Sequence, residues 1–209
     1  MTKAEWCGAS VKANGSCQFD LPAQIASVEQ AFDAEKAVQV AAKFIELNGG
    51  SVNRYALIKM MYEADREACR LWSRSMTGDQ PYSMRHGPVL SQILNLTKGE
   101  VSADASIWRE FINPVDSEDM ITLVKDVGDK DLLSKKELSI IETVYQRLGS
   151  MSFKELKEYS HSHAEYESTA GAKRISHEAR LSAVGKTAKQ ITVAKEELSE
   201  DAILRLLKG

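Results

Sequence analysis

Between Asn53 and Ser73 the chain sets Leu57, Ile58, Met61, Ala64, Ala68 and Trp72 at helical intervals along one face, and places Asp65 within that apolar stripe. A carboxylate taken out of water without a partner is costly, so whatever covers this face must bring donors to Asp65 or its proton affinity must rise. The following segment, residues 77–88, offers Thr77, Tyr82, Arg85 and His86. It is expected to fold back over the helix, with Asp65 tying it down. Asn53 supplies the expected N-cap. Arg66 falls with Lys59, Glu63 and Arg70 on the opposite side, where a solvated charge network and a contact with a partner are the two readings.

Other helices follow from spacing and caps. EKAVQVAAKFIELN brings Val38, Ala41, Phe44, Ile45 and Leu47 near one face, and Gly49-Gly50 stops it. Ser134 with Glu137 and Ser152 with Glu155 each match a capping box. The first box opens a helix carrying Leu138, Ile141, Val144, Tyr145 and Leu148; the second opens a short one whose Phe153, Leu156 and Tyr159 are expected to pack inward. Pro88 is expected to pre-set the first turn of a helix bearing Val89, Leu90, Ile93 and Leu94, with Gly87 allowing a backbone shape closed to other residues. Ile121, Leu123 and Val124 suffice for a short strand. HEARLSAV and AILRLLKG restore helical patterning near the end, with Ser199 available as a cap.

The expected class is therefore mainly α, a compact multi-helix domain with at most a small β element. At 209 residues with 43% hydrophobic content, one main domain with extensions is favoured over two. The expected division is an N-terminal arm at 1–32, a domain at 33–168 and a C-terminal helical extension at 169–209. Lys and Arg number 27 against 30 Asp and Glu, a net charge of −3, so no global positive field draws the chain to nucleic acid or to an anionic membrane. No apolar run reaches the roughly 20 residues of a membrane span, and a reducing cytoplasm suits three scattered cysteines, Cys7, Cys17 and Cys69.

Catalytic signals are weak. His161 and His163, with His86 and His177 elsewhere, lack a third ligand at metal-type spacing. Ser160 beside His161 is adjacency without nucleophile–base geometry, and Gly78 and Gly87 form no phosphate-loop signature. No metal, cofactor or catalytic residue is expected.

The run LIKMMYEADREACRLWSRSMTGDQPYSMRHGPVLSQI resembles the Panacea domain, also called the SocA-like antitoxin domain. The matching positions are Ala64-Asp65-Arg66, Thr77-Gly78-Asp79 and His86-Gly87-Pro88-Val89, and the likeness extends more weakly over about 35–168. After Ser160-His161 the chain has SHAEYEST where many relatives carry an acidic, tryptophan-containing stretch. The resemblance implies a non-enzymatic antitoxin of a prokaryotic or phage toxin–antitoxin system that neutralises a protein toxin by direct binding. A proteolytic adaptor that delivers its partner to a protease is the alternative, and a metal-dependent or hydrolytic enzyme the third reading. On this basis Asp65, Thr77, Asp79, His86, Gly87 and Pro88 form the expected structural corner, and Arg66, Tyr82 and Arg85 are the candidate partner contacts.

Overall fold

The computed structural model describes residues 10–11, 17–18, 30–100, 103–128 and 131–208. Strand β1 (Ser10–Val11) pairs antiparallel with β2 (Cys17–Gln18); the rest of the expected arm before residue 30 lies outside the described residues. The main unit runs Gln30–Ala194. Asp33 opens helix α1 (Ala34–Leu47) by accepting from the Lys36 N–H, and the helix buries Val38, Ala41, Phe44 and Ile45. Asn48 ends it, and Gly49 and Gly50 turn the chain at positive φ into β3 (Ser51–Asn53).

Helix α2 (Arg54–Trp72) is the centre of the unit. The Asn53 carboxamide caps it by accepting from Tyr55 N and Ala56 N, and Ser73 closes it in the left-handed region. Around it lie β4 (Pro81–Met84), β5 (Gly87–Leu90), α3 (Ser91–Thr97), α4 (Ala103–Phe111), β6 (Met120–Thr122), α5 (Lys135–Leu148) and α6 (Phe153–His161). The chain then forms β7 (Lys173–Arg174), α7 (His177–Ala183) and α8 (Ala188–Lys208). Helices α1, α5, α6 and α7 and strand β5 all pack on α2, so it is buried on every side from Leu57 to Asp65, while Arg70 and Leu71 near its end are exposed. Lys59 and Glu63, expected in a solvated network, are buried with Asp65.

Two small antiparallel sheets complete the unit. Strand β3 pairs with β6, Val52 opposite Ile121. Strand β4 is central between β5 and β7, with Tyr82 opposite both Val89 and Arg174. Among the described residues there are eight helices and only short strands, the mainly α class expected. Both capping boxes form, at Ser134 with Glu137 and at Ser152 with Glu155.

Three local expectations are corrected. Pro88 and Val89 do not begin a helix; they lie in β5, Pro88 opposite Ser83, because a fixed φ near −65° suits extended backbone as well as a helical first turn. The helix begins at Ser91 instead. Ser199 is no cap but lies inside α8, its hydroxyl donating to the Lys195 carbonyl. Phe153 does not pack inward: it is 53% exposed, while Leu156 is buried. Helix α4, which spacing and capping did not single out, buries Ala105 and Trp108 in the core. Residues 169–194, expected as part of an extension, lie in the main unit. No described helix is long and apolar enough to cross a membrane.

Gly78 fixes one contact of this frame. It sits at φ +73, and a Cβ there would meet the Ala31 carbonyl oxygen at 2.0 Å. Gly78→Ala is expected to lower stability by about 2 to 3 kcal/mol, read as a shifted urea midpoint; an unchanged midpoint would show that residues 30–33 move aside freely.

Candidate functional site

Asp65 is fully buried, and the chain after α2 returns to it as the sequence suggested. Its Oδ1 accepts from Thr77 N at 2.9 Å and Thr77 Oγ1 at 3.1 Å. Ser75 Oγ lies 2.7 and 2.6 Å from the two carboxylate oxygens. The fourth partner comes from far along the chain: Arg180 Nη1 donates to Oδ2 at 2.6 Å from within α7, in an ion pair exposed by only 3% and 0%. Burial alone would push the Arg180 guanidinium down; Cys69, Asp65 and Tyr62 around it outweigh that and hold it charged. Of the four donors read from the sequence, Thr77 alone reaches Asp65. Tyr82, Arg85 and His86 lie farther along the hairpin.

The Thr77-Gly78-Asp79 turn divides its work by residue. Thr77 binds Asp65, and its carbonyl accepts from Asp33 N at 2.9 Å. Asp79 reaches across to α3, accepting from Ser91 Oγ at 3.1 Å, Gln92 N at 3.0 Å and Ile93 N at 2.9 Å. It thereby caps a helix whose own N-cap residue, Leu90, has no capping side chain. Burial raises the Asp79 pKa, opposed by the N–H groups of Gln92 and Ile93.

Strands β4 and β5 then form a hairpin whose turn presents Arg85 and His86 to solvent. Gly87, at φ +96, packs so closely on α6 that a Cβ would lie 2.4 Å from Ser160 Oγ and 2.8 Å from Lys59 Nζ. The backbone of the hairpin is held from outside: Tyr55 donates to the His86 carbonyl at 2.8 Å, Lys59 to the Pro88 carbonyl at 2.8 Å, and Tyr166 to the Met84 carbonyl at 3.2 Å. Tyr82, half-buried in the central strand, faces a cross-strand neighbour on either side.

A second buried network joins α2 to α5 and α6. Glu63 accepts from Arg147 Nη2 and from Tyr159 Oη, each at 2.8 Å, and His163 Nε2 lies 3.0 Å from its other oxygen. Glu165, whose side chain is 0% exposed, accepts from Tyr62 Oη at 3.0 Å and Arg66 Nε at 2.7 Å. Burial raises the Glu165 pKa, but the hydrogen bond and charge of Arg66 outweigh it, and the net shift is downward. Arg66 is therefore a strut within the fold rather than part of an open charge face. SHAEYEST, which departs from the family pattern, supplies His163 and Glu165 to this network. Spacing along α2 alone does not reveal such long-range partners.

Beside the hairpin lies a groove of about 610 Å³, with Ile58, Val89, Leu94, Met151, Phe153 and Leu156 among its apolar walls. The Phe153 ring packs against Tyr55 at 4.4 Å and His86 at 5.8 Å between centroids. Ser160 and His161 form no nucleophile–base pair: the Ser160 hydroxyl donates to the Lys157 carbonyl and the His161 ring stacks on Tyr166 at 4.3 Å. Among the described residues, no group of three or more His, Cys, Asp or Glu side chains is placed to hold a metal ion.

The model of the "Antitoxin SocA-like, Panacea domain" family matches residues 57–166. No curated protein and no solved structure matches the chain. A match that begins on α2, takes in the Asp65 tie, the Thr77-Gly78-Asp79 turn and the hairpin, and covers more than half of 209 residues makes this chain a member of the SocA-like antitoxin family, built on a Panacea domain.

Proposed function

We propose that the protein is a cytoplasmic antitoxin that neutralises a cognate protein toxin by direct binding, without a catalytic step of its own. Membership of an antitoxin family, through a domain spanning 57–166, is the observation that carries this reading. What supports a contact surface is the grouping of Arg85, His86 and Phe153 at the mouth of the groove, all exposed. Aromatic and arginine side chains are enriched among the few residues that dominate binding energy. The packing of Phe153 on Tyr55 and His86 holds its ring in place before a partner arrives, which lowers the ordering cost of binding. Of the contacts read from the sequence, Arg85 remains the first candidate. Tyr82 is half-buried, and Arg66, with a side chain 16% exposed and committed to Glu165, acts through the fold.

The test is co-expression with the adjacent gene, scored by growth rescue and co-purification together. Arg85→Glu and Phe153→Ala are each expected to weaken binding about ten- to a hundredfold while melting as the parent does. A neighbouring product that is harmless and does not co-purify would overturn the antitoxin reading. Rescue that requires a protease would replace it with the adaptor. Two variants that fold, bind and protect like the parent would move the contact surface away from the groove.

A further inference from the structure

Lys59 is an unusual wall for an apolar groove. It is 3% exposed, and the acceptor it meets among the described residues is the Pro88 carbonyl, 2.8 Å from Nζ. The face of Tyr55 lies 5.1 Å away. No described carboxylate stands within ion-pair distance of it; Asp119, at the groove, is taken by Arg54 at 2.8 Å. Arg54, Arg85, His86 and Lys98 also line the groove, so its polar margin is mainly basic. A buried ammonium is costly unless it is paired with an anion, and the described residues place none beside it.

We propose that the groove binds a small amphiphilic carboxylic acid, with its hydrocarbon body on Ile58, Val89, Leu94 and Leu156 and its carboxylate on Lys59 Nζ. The volume, about 610 Å³, falls in the range of pockets that enclose small organic ligands, apolar walls with a few placed polar groups. One buried cation matches one negative charge. The depth of Nζ favours the free end of a slender acid over an Asp or Glu tethered by a short stem to a protein backbone. This inference does not rest on the antitoxin reading, since it concerns the chain without its partner.

The site carries its own pH dependence. Burial lowers the Lys59 pKa from 10.5 to about 7, and binding of a carboxylate requires the protonated amine. The titratable and charged groups sharing the groove with it are Arg54 and Tyr55 on its own helix, Arg85 and His86 on the hairpin, Lys98 after α3 and Asp119 before β6, with His161 on α6 close enough to feel its charge. Burial raises Tyr55 to about 12. His161 is pushed down by burial first, then by the charges of Lys157, Lys59 and His86. The carboxylate among these, Asp119, is paired with Arg54 and not with Lys59. Affinity should therefore be greatest below pH 7 and fall as pH rises through it.

Decanoate and decanol, titrated calorimetrically into the full chain, provide the test. Decanoate is expected to bind at pH 6 at least about tenfold more tightly than decanol, and to weaken by about tenfold for each pH unit above 7. Lys59→Met should abolish the preference for the acid. Equal affinity for acid and alcohol, binding independent of pH, full decanoate affinity in a folded Lys59→Met, or no decanoate binding would each overturn the site. If Lys59→Met does not fold, the acid–alcohol comparison and the pH series on the parent protein still decide. Loss of toxin neutralisation with intact decanoate binding would count against the antitoxin reading alone.

Discussion

Asp65→Ala is expected to destabilise the protein by about 3 to 5 kcal/mol, the cost of leaving a buried charge without its partner. The carboxylate accepts from Ser75, Thr77 and Arg180, all of them buried. Its removal strands the Arg180 guanidinium, whose Nε already has no hydrogen-bond partner among the described residues. It also frees the turn that places Asp79 under α3, so one substitution loosens three separate pieces of chain. Asp65→Asn should cost less, because the amide oxygen still accepts from Thr77 while the charge facing Arg180 is gone. Arg70→Ala is the surface comparison: its pair with Glu67 involves an arginine side chain 51% exposed, and its loss should cost under about 1 kcal/mol. Urea unfolding of the three variants against the parent is the measurement. An Asp65→Ala midpoint no lower than that of Arg70→Ala would mean that the corner is not held by this carboxylate.

The Asp65 tie was legible because helical periodicity placed one carboxylate among apolar neighbours, a conflict that only a specific partner resolves. Arg180 was not legible: it lies 115 positions away in a segment whose polar lead-in, STAGAKR, read as an extension. The same limit hid Glu63. Its charge among Lys59, Arg66 and Arg70 marks a wet face when α2 is considered alone, and only packing by α5 and α6 encloses it with Arg147, Tyr159 and His163. At Pro88 the residue is compatible with both a helix start and a strand, and what decided it was pairing with β4 and the arrival of Asp79 at Ser91 to cap the helix three residues later. Phe153 shows the converse. It occupies an apolar position in a well-capped helix, yet at the first turn of α6 it overhangs the groove instead of the core. Caps and periodic faces are local and readable; which face ends up covered is settled by chain far away in sequence.

Lys59→Met is expected to raise stability at acid and neutral pH, with the gain shrinking as the pH rises. Folding lowers the Lys59 pKa from 10.5 to about 7 by burial, so below pH 7 the folded chain carries the whole penalty of a desolvated ammonium. Between about 7 and 10.5 the folded protein has released the proton while the unfolded chain still holds it. The penalty is relieved over that window, and the parent's stability from this group rises with pH. At about 1.4 kcal/mol per pKa unit, the advantage of the methionine variant should fall by about 2 to 3 kcal/mol between pH 6.5 and pH 9. Methionine keeps the apolar stem but removes the donor to the Pro88 carbonyl, worth about 1 kcal/mol; at pH 9, where about 2 kcal/mol of the penalty remains, the variant should lead by only about 1 kcal/mol. Differences in unfolding free energy between parent and variant, measured in urea at both pH values, cancel the titrations the two chains share. A variant less stable than the parent at pH 6.5, or a difference unchanged between the two conditions, would place a counter-ion beside Lys59 and remove the physical basis for an anion in the groove.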